Sequence, residues 1–352
     1  MENDIIVKLK KSIESLKNKS SRIYFFTQDT KGNAKASIRF IYQIARTLKN
    51  EGFNPIILHE KPDYTGVSSW LGNDYEDIPH RHIEGQNLEI SPEDFIVIPE
   101  IYGFVMDQVK NLPCGKIVLS QCYNHILETL QPGQSWGSMN FTKCITTTES
   151  QKSYINDLMK NISVDVLNPK LSKVFTKSTL PPKPIIGIHS REQRDALNLI
   201  KTFYLKYPQY RWITFRDLRG LSESEFANTL KDCFVCVWID PTSSLGTFPL
   251  ECMKTGTPVI GQLPYMIPTW MKEDNGMWVQ NPEEIMKYLV DFLQNWLEDG
   301  INPALYESIE KTAEEFSDYE NFETNTKKLF EEYFEIRYKS FEEQLNKLEN
   351  TN

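Results

Sequence analysis

The stretch that decides the reading is "DPTSSLGTFPLECMKTGTPVIG", Asp240 to Gly261. It follows an apolar, β-rich run, "CFVCVWI". Small residues around Gly246 form a loop, and a short helix is expected from Phe248 to Lys254. Gly256 and Pro258 end that helix, and a second apolar strand begins. Strand, loop, helix and strand in this order make one βα unit of a parallel sheet. Ligands of such sheets bind at the carboxyl ends of the strands. Ser243, Ser244, Gly246 and Thr247 can bring backbone N–H groups to a ligand there. The N-terminus of the helix favours an anion, most simply a phosphate. Glu251 stands about one turn inside, where a carboxylate can accept two hydrogen bonds from a vicinal diol such as a ribose. A nucleoside diphosphate fits this stretch. A core-packing βα turn with a solvated Glu251 fits it too, and the residues alone leave both readings open.

The same alternation extends outward through the chain. "SRIYFFT", "NPIILHE", "DFIVIPEIYG", "GKIVLSQCYN", "KCITTTESQ" and "SVDVLNP" read as strands. Between the first two, Ile38, Ile41, Ile44, Ala45 and Leu48 recur at a helical period, with Gly52 as the stop. "KLSKVFTKSTLPPKP" has consecutive prolines and no period, which marks a linker. The pattern then repeats with strands at "IIGIHS", "YRWITFRDL" and "FVCVWID" and helices at "REQRDALNLIKTFYLKYP" and "SESEFANTLKDC". The latter opens with a Ser-x-x-Glu capping box. The expected division is 1–169, a linker 170–184, 185–320 and a charged helical tail 321–352. The fold class is α/β, with two Rossmann-like domains and a cleft between them.

Composition narrows the function. The 352 residues suit two domains, and 40% hydrophobic with 25% charged residues suit a soluble protein. A net charge of −9 argues against a nucleic-acid partner. Cys114, Cys122, Cys144, Cys233, Cys236 and Cys252 show no disulfide spacing, so reduced thiols are expected. His80 and His82 read as part of a polar, solvated loop. "MENDIIVKLKKSIESLKNKS" reads as a lysine-rich amphipathic helix and not as a leader. The expected location is the cytoplasm, with a peripheral position at a membrane left open.

The segment from Ser243 to Ile260 resembles the retaining GT-B glycosyltransferases of the family-4 type. Their second domain carries Glu-Gly-Phe-Gly-Leu-Pro-x-Leu-Glu-Ala-Met-x-x-Gly-x-Pro-Val-Ile. Gly246, Leu250, Glu251, Met253, Gly256, Pro258, Val259 and Ile260 match in register. The resemblance implies a GT-B architecture with the terminal helix packing back on the body. It implies transfer of a sugar, with retention and without a metal, from a nucleotide-diphosphate sugar (UDP or GDP) to a carbohydrate or glycan hydroxyl. No permanently bound cofactor is expected, and surface-polysaccharide assembly is the usual setting of that family.

By this resemblance Glu251 binds the ribose, and the amides of Leu245, Gly246 and Thr247 meet the donor. Arg191, with Arg194 as second candidate, neutralises the diphosphate, and Arg216 flanks the base. The acidic residue that contacts the donor sugar in the family is replaced here by Ser243, which supplies no charge. A non-catalytic binding partner of another glycosyltransferase is therefore the alternative. The first domain is expected to take the acceptor, through Gly32 and Lys35 in the first loop, Tyr102 in "PEIYG", and Gln121 and His125 around "SQCYN".

Overall fold

The computed structural model of the protein describes residues 2–85, 88–300 and 302–350. The chain forms two compact units. Unit 1 comprises Met1–Thr147, Lys152–Asn168 and Tyr319–Asn352, and unit 2 comprises Thr148–Gln151 and Pro169–Asp318.

Unit 1 opens with α1 (Glu2–Lys17), β1 (Arg22–Phe26), α2 (Ala36–Asn50) and β2 (Asn54–His59). It continues with α3 (Ser68–Leu71), β3 (His80–His82), β4 (Phe95–Pro99), α4 (Gly103–Val109), β5 (Gly115–Ser120), α5 (His125–Glu128) and β6 (Lys143–Thr146). Then come α6 (Glu149–Leu158), whose first residues are grouped with unit 2, and β7 (Ser163–Val166). The sheet order is β3-β2-β1-β4-β5-β6-β7, and every pairing is parallel. Parallel strands are covered on both faces and so read as continuous apolar runs. All five residues of β4 are buried, as that rule requires.

Unit 2 contains β8 (Lys183–Ser190), α7 (Gln193–Lys206), β9 (Thr214–Asp217), α8 (Glu223–Asp232) and β10 (Cys233–Ile239). It continues with α9 (Thr247–Thr255), β11 (Val259–Gln262), β12 (Met277–Val279), α10 (Ile285–Glu298) and α11 (Pro303–Glu315). Its parallel sheet runs β12-β11-β10-β8-β9. Strand β10 is central and buried throughout. The capping box that opens α8 is formed: Ser222 Oγ accepts from Glu225 N–H, and the Glu225 carboxylate accepts from Ser222 N–H at 2.9 Å.

The last helix, α12 (Tyr319–Glu349), belongs to unit 1. Its aromatic face explains why. Phe334 stacks on Phe95 at 4.8 Å and meets Phe53 edge-on at 5.1 Å. Tyr333 donates its hydroxyl to Asp165 at 2.9 Å, and Arg337 Nε donates to the Pro92 carbonyl at 3.0 Å. Each buried aromatic side chain contributes roughly 2–3 kcal/mol by leaving water. The helix is thus an integral layer of unit 1.

Two expectations need correction. His80 and His82 do not lie in a loop; they form edge strand β3, with Ile57↔His80 and His59↔His82 in register. His80 Nδ1 lies 3.0 Å from His59 Nε2, and Tyr64 stacks on His59 at 4.4 Å. The strand is too short and too polar to show a period of two. The strand expected over "YRWITFRDL" shrinks to Thr214–Asp217, because Pro208 starts a 3-10 turn through Tyr210. Among the described residues, no helix is long and apolar enough to cross a membrane.

Candidate functional site

Each parallel sheet gathers its strand carboxyl ends along one edge. In unit 2 the order reverses between β8, which leads to β9 on one side, and β10 on the other. Such a reversal opens a crevice between the loops leaving the two strands. Arg191 follows β8 and Asp240 follows β10, and they meet there: Arg191 Nη1 is 3.4 Å from both carboxylate oxygens. Asp240 Oδ1 also accepts from Thr242 N–H at 3.1 Å and from Thr242 Oγ1 at 2.8 Å, which folds the chain into the next loop.

That loop is set by packing. Gly246 has φ 74° and ψ 52°, the left-handed region that side chains rarely adopt. A Cβ there would lie 2.9 Å from Trp270 Cζ2 and 3.1 Å from Met271 Cε. Trp270 Nε1 donates to the Leu245 carbonyl at 2.7 Å, and Asn275 Nδ2 donates to the Trp270 carbonyl at 2.6 Å. Ser243 Oγ accepts the Gly246 N–H at 3.1 Å. This takes Gly246 out of the set of amides open to a ligand and makes Ser243 a brace of the loop. Helix α9 starts at Thr247, so by position the Thr247 and Phe248 N–H groups have no intrahelical acceptor. Glu251 follows in the same helix and is only 5% exposed.

The structure brings Arg191, Ser243, Leu245, Gly246 and Thr247 to one edge of unit 2, with Glu251 in the helix behind them. Arg194 is the second residue of α7 and is exposed. Arg216 lies inside β9, opposite Gly187, and not beyond the end of the strand. The guanidinium at that end is Arg219, whose Nε donates to Asp217 Oδ1 at 2.9 Å and holds that carboxyl below its ordinary range.

His189 was passed over. It is the penultimate residue of β8, two residues before Arg191, and its ring stacks on Phe248 at 4.7 Å. Its Nδ1 is buried with no hydrogen-bond partner among the described residues, and burial holds the imidazole neutral to lower pH than usual. The signal was a polar aromatic residue at the carboxyl end of an apolar strand.

In unit 1 the order reverses between β1 and β4. Gln28, after β1, and Tyr102, after β4, meet there: the Tyr102 hydroxyl accepts from Gln28 N–H at 3.2 Å and donates to Gln28 Oε1 at 3.3 Å. Beside them lies Glu100, 2% exposed, which the sequence did not single out. Its Oε1 accepts from Gln121 N–H at 2.9 Å and from Cys122 N–H at 2.6 Å. Burial pushes this carboxyl up to about 7. Gln121 Nε2 donates to the Ser37 carbonyl at 3.2 Å. His125 is hydrogen-bonded to Cys122 and Glu128, which raise it to about 9. Tyr102, Gln121 and His125 thus share one neighbourhood.

Gly32, with φ 82°, sits by Ser69, and Lys35 precedes α2 without capping it. This first loop is held by Trp70 Nε1, which donates to Thr30 Oγ1 at 3.1 Å. Among the described residues no group of three or more His, Cys, Asp or Glu could hold a metal ion.

No protein-family model matches the sequence, and no curated protein matches it. Solved structures do match. Sucrose-phosphate synthase from Thermosynechococcus elongatus superposes with a TM-score of 0.66 at 13% identity, over 90% of this chain and 100% of that one. Anabaena HepE in complex with UDP-glucose gives 0.62 at 11% identity, over 88% and 99%. The pneumococcal O-GlcNAc transferase GtfA in complex with UDP and GlcNAc gives 0.58 at 8%, over 93% and 99%. At such identities the likeness is one of fold, and the two wholly parallel sheets with their long terminal helix are the α/β fold of the GT-B glycosyltransferase structures.

Proposed function

We propose that the protein is a glycosyltransferase that moves a sugar from a nucleotide-diphosphate sugar to a carbohydrate hydroxyl. One observation carries this reading. A packed loop and the start of α9 present backbone amides at the strand-order reversal of unit 2, on the edge where Arg191 pairs with Asp240, with buried Glu251 one turn into the helix. Amides at a helix start and a guanidinium both favour a diphosphate, and a carboxylate favours a ribose diol. The fold likeness to proteins solved with UDP and UDP-glucose supports the same ligand class.

In this reading, charge on the leaving diphosphate is met by Arg191 and the Thr247 and Phe248 amides, in place before reaction. A metal-independent reaction with retention follows the resemblance of the Ser243–Ile260 segment. The polar neighbourhood of Tyr102, Gln121 and His125 in unit 1 takes the acceptor, and Arg194 supplements Arg191. The test is calorimetry with UDP, GDP, ADP and their sugar conjugates, with and without magnesium. The expected result is micromolar binding of one base series without magnesium, and its loss in Glu251→Ala. Unchanged affinity in that variant would overturn the assignment of Glu251. Product configuration by NMR decides retention.

A further inference from the structure

The loop after β11 carries an unexplained tyrosine. Tyr265 is 72% exposed, yet its backbone is held: its N–H donates to the Pro241 carbonyl at 2.8 Å. That bond places it beside the Asp240–Thr242 turn, on the carboxyl edge of unit 2. The loop is braced along its length. Leu263 N–H donates to the Val279 carbonyl at 2.7 Å, Pro264 and Pro268 are buried, and Trp270 is tied to Leu245. Among the described residues, the Tyr265 ring has no aromatic neighbour and its hydroxyl no hydrogen-bond partner. A large amphipathic ring on a rigid mount, left bare at the edge of a site, offers a stacking surface at small entropic cost.

We propose that Tyr265 is a platform for the transferred sugar: its ring packs on the apolar face of a hexose while the neighbouring Asp240 accepts a sugar hydroxyl. The argument rests on the nucleotide-sugar reading above and adds which part of the donor this loop holds. The carboxylate of Asp240, beside the Pro241 that anchors the tyrosine and paired with Arg191 at 3.4 Å, keeps acceptor lone pairs for a sugar hydroxyl next to the guanidinium that takes the diphosphate. The amides and the anion-favouring helix start lie farther along, at Thr247 and Phe248.

The experiment compares UDP with UDP-glucose, and GDP with GDP-mannose, by calorimetry on the full chain. The variants are Tyr265→Ala and Tyr265→Phe. In the native protein the sugar conjugate of the preferred base is expected to bind more tightly than the bare diphosphate. Tyr265→Ala removes that margin, weakening the conjugate about tenfold, and leaves the diphosphate within about twofold; Tyr265→Phe keeps the margin. Equal weakening of diphosphate and conjugate would put the ring against the base or the loop fold and overturn the proposal, as would an unchanged margin in the Ala variant. If no nucleotide binds the native protein, the donor reading fails, and this proposal with it. An exposed side chain leaves the melting temperature unmoved, so a melt separates lost binding from lost folding.

Discussion

The two sheet edges each carry a reversal of strand order and are fixed by different means. In unit 2 the loop after β10 is held by shape: Gly246 has room only for hydrogen under Trp270 and Met271. In unit 1 the loop after β5 is held by a buried acid: Glu100 Oε1 collects the N–H groups of Gln121 and Cys122. Packing does not respond to pH, whereas a buried carboxyl does. The loop after β10 should therefore hold its shape through neutral pH, with only His189 beside it losing stability as pH falls, whereas the loop after β5 titrates near neutrality.

The largest effect is expected from breaking the packed edge. Gly246→Ala combines left-handed strain with overpacking and should cost about 2–5 kcal/mol in chemical denaturation, with loss of nucleotide binding. A cost within error of zero would mean that Trp270 gives way.

The next effect sharpens the titrating edge. The folded-state value of Glu100, about 7, lies above the ordinary 4.5. Its neutral form is favoured by folding, so its contribution is full below about 4.5 and is lost as pH rises through about 7. The loss is about 3 kcal/mol, and Glu100→Gln should remove that slope. His59, on the same unit, works the other way. Burial and neighbouring His80 hold it down at about 4, so its contribution is present above the ordinary 6.5 and is lost as pH falls through about 4. The two slopes oppose each other across nearly the same window. His80 and His189, also held down by burial, slope the same way as His59. The native slope is therefore the balance of Glu100 against three imidazoles. Relative to it, Glu100→Gln should gain more stability as pH rises and His59→Asn less. Denaturation midpoints taken at several pH values check the signs, and two variants that shift the native slope in the same direction would refute the pairing.

The smallest effect returns to unit 2. Ser243→Ala removes the acceptor of the Gly246 N–H and should cost about 1 kcal/mol, independent of pH. A far larger cost would mean that hydroxyl, and not Trp270, holds the loop.

Much of this was legible in residues close together in the chain. The run from Cys233 to Ile260 announces strand, loop, helix and strand, because apolar periodicity, one glycine and a Gly-x-Pro stop are local signals. The box from Ser222 to Glu225 and the stop at Gly52 are local for the same reason. The resemblance of Ser243–Ile260 led to the GT-B fold that the two sheets display. Strand β3 escaped because three polar residues carry no period, and Glu100 because an acid after a strand looks like any solvated turn residue.

What the sequence by itself determined is the order of elements, the parallel α/β class and the strand–loop–helix that forms the carboxyl edge of unit 2. Each follows from backbone geometry and side-chain patterns within a few residues. Tertiary structure alone decided which groups complete the site. Trp270 reaches back 25 residues to Leu245, Glu100 reaches 21 and 22 residues forward to Gln121 and Cys122, and Tyr333 closes on Asp165 across 168. Tertiary structure also set Ser243 Oγ against the Gly246 N–H and carried α12 back to unit 1. The physical reason is common to all of them. A contact between distant residues depends on where the sheets place their strand ends, and no local pattern encodes that position.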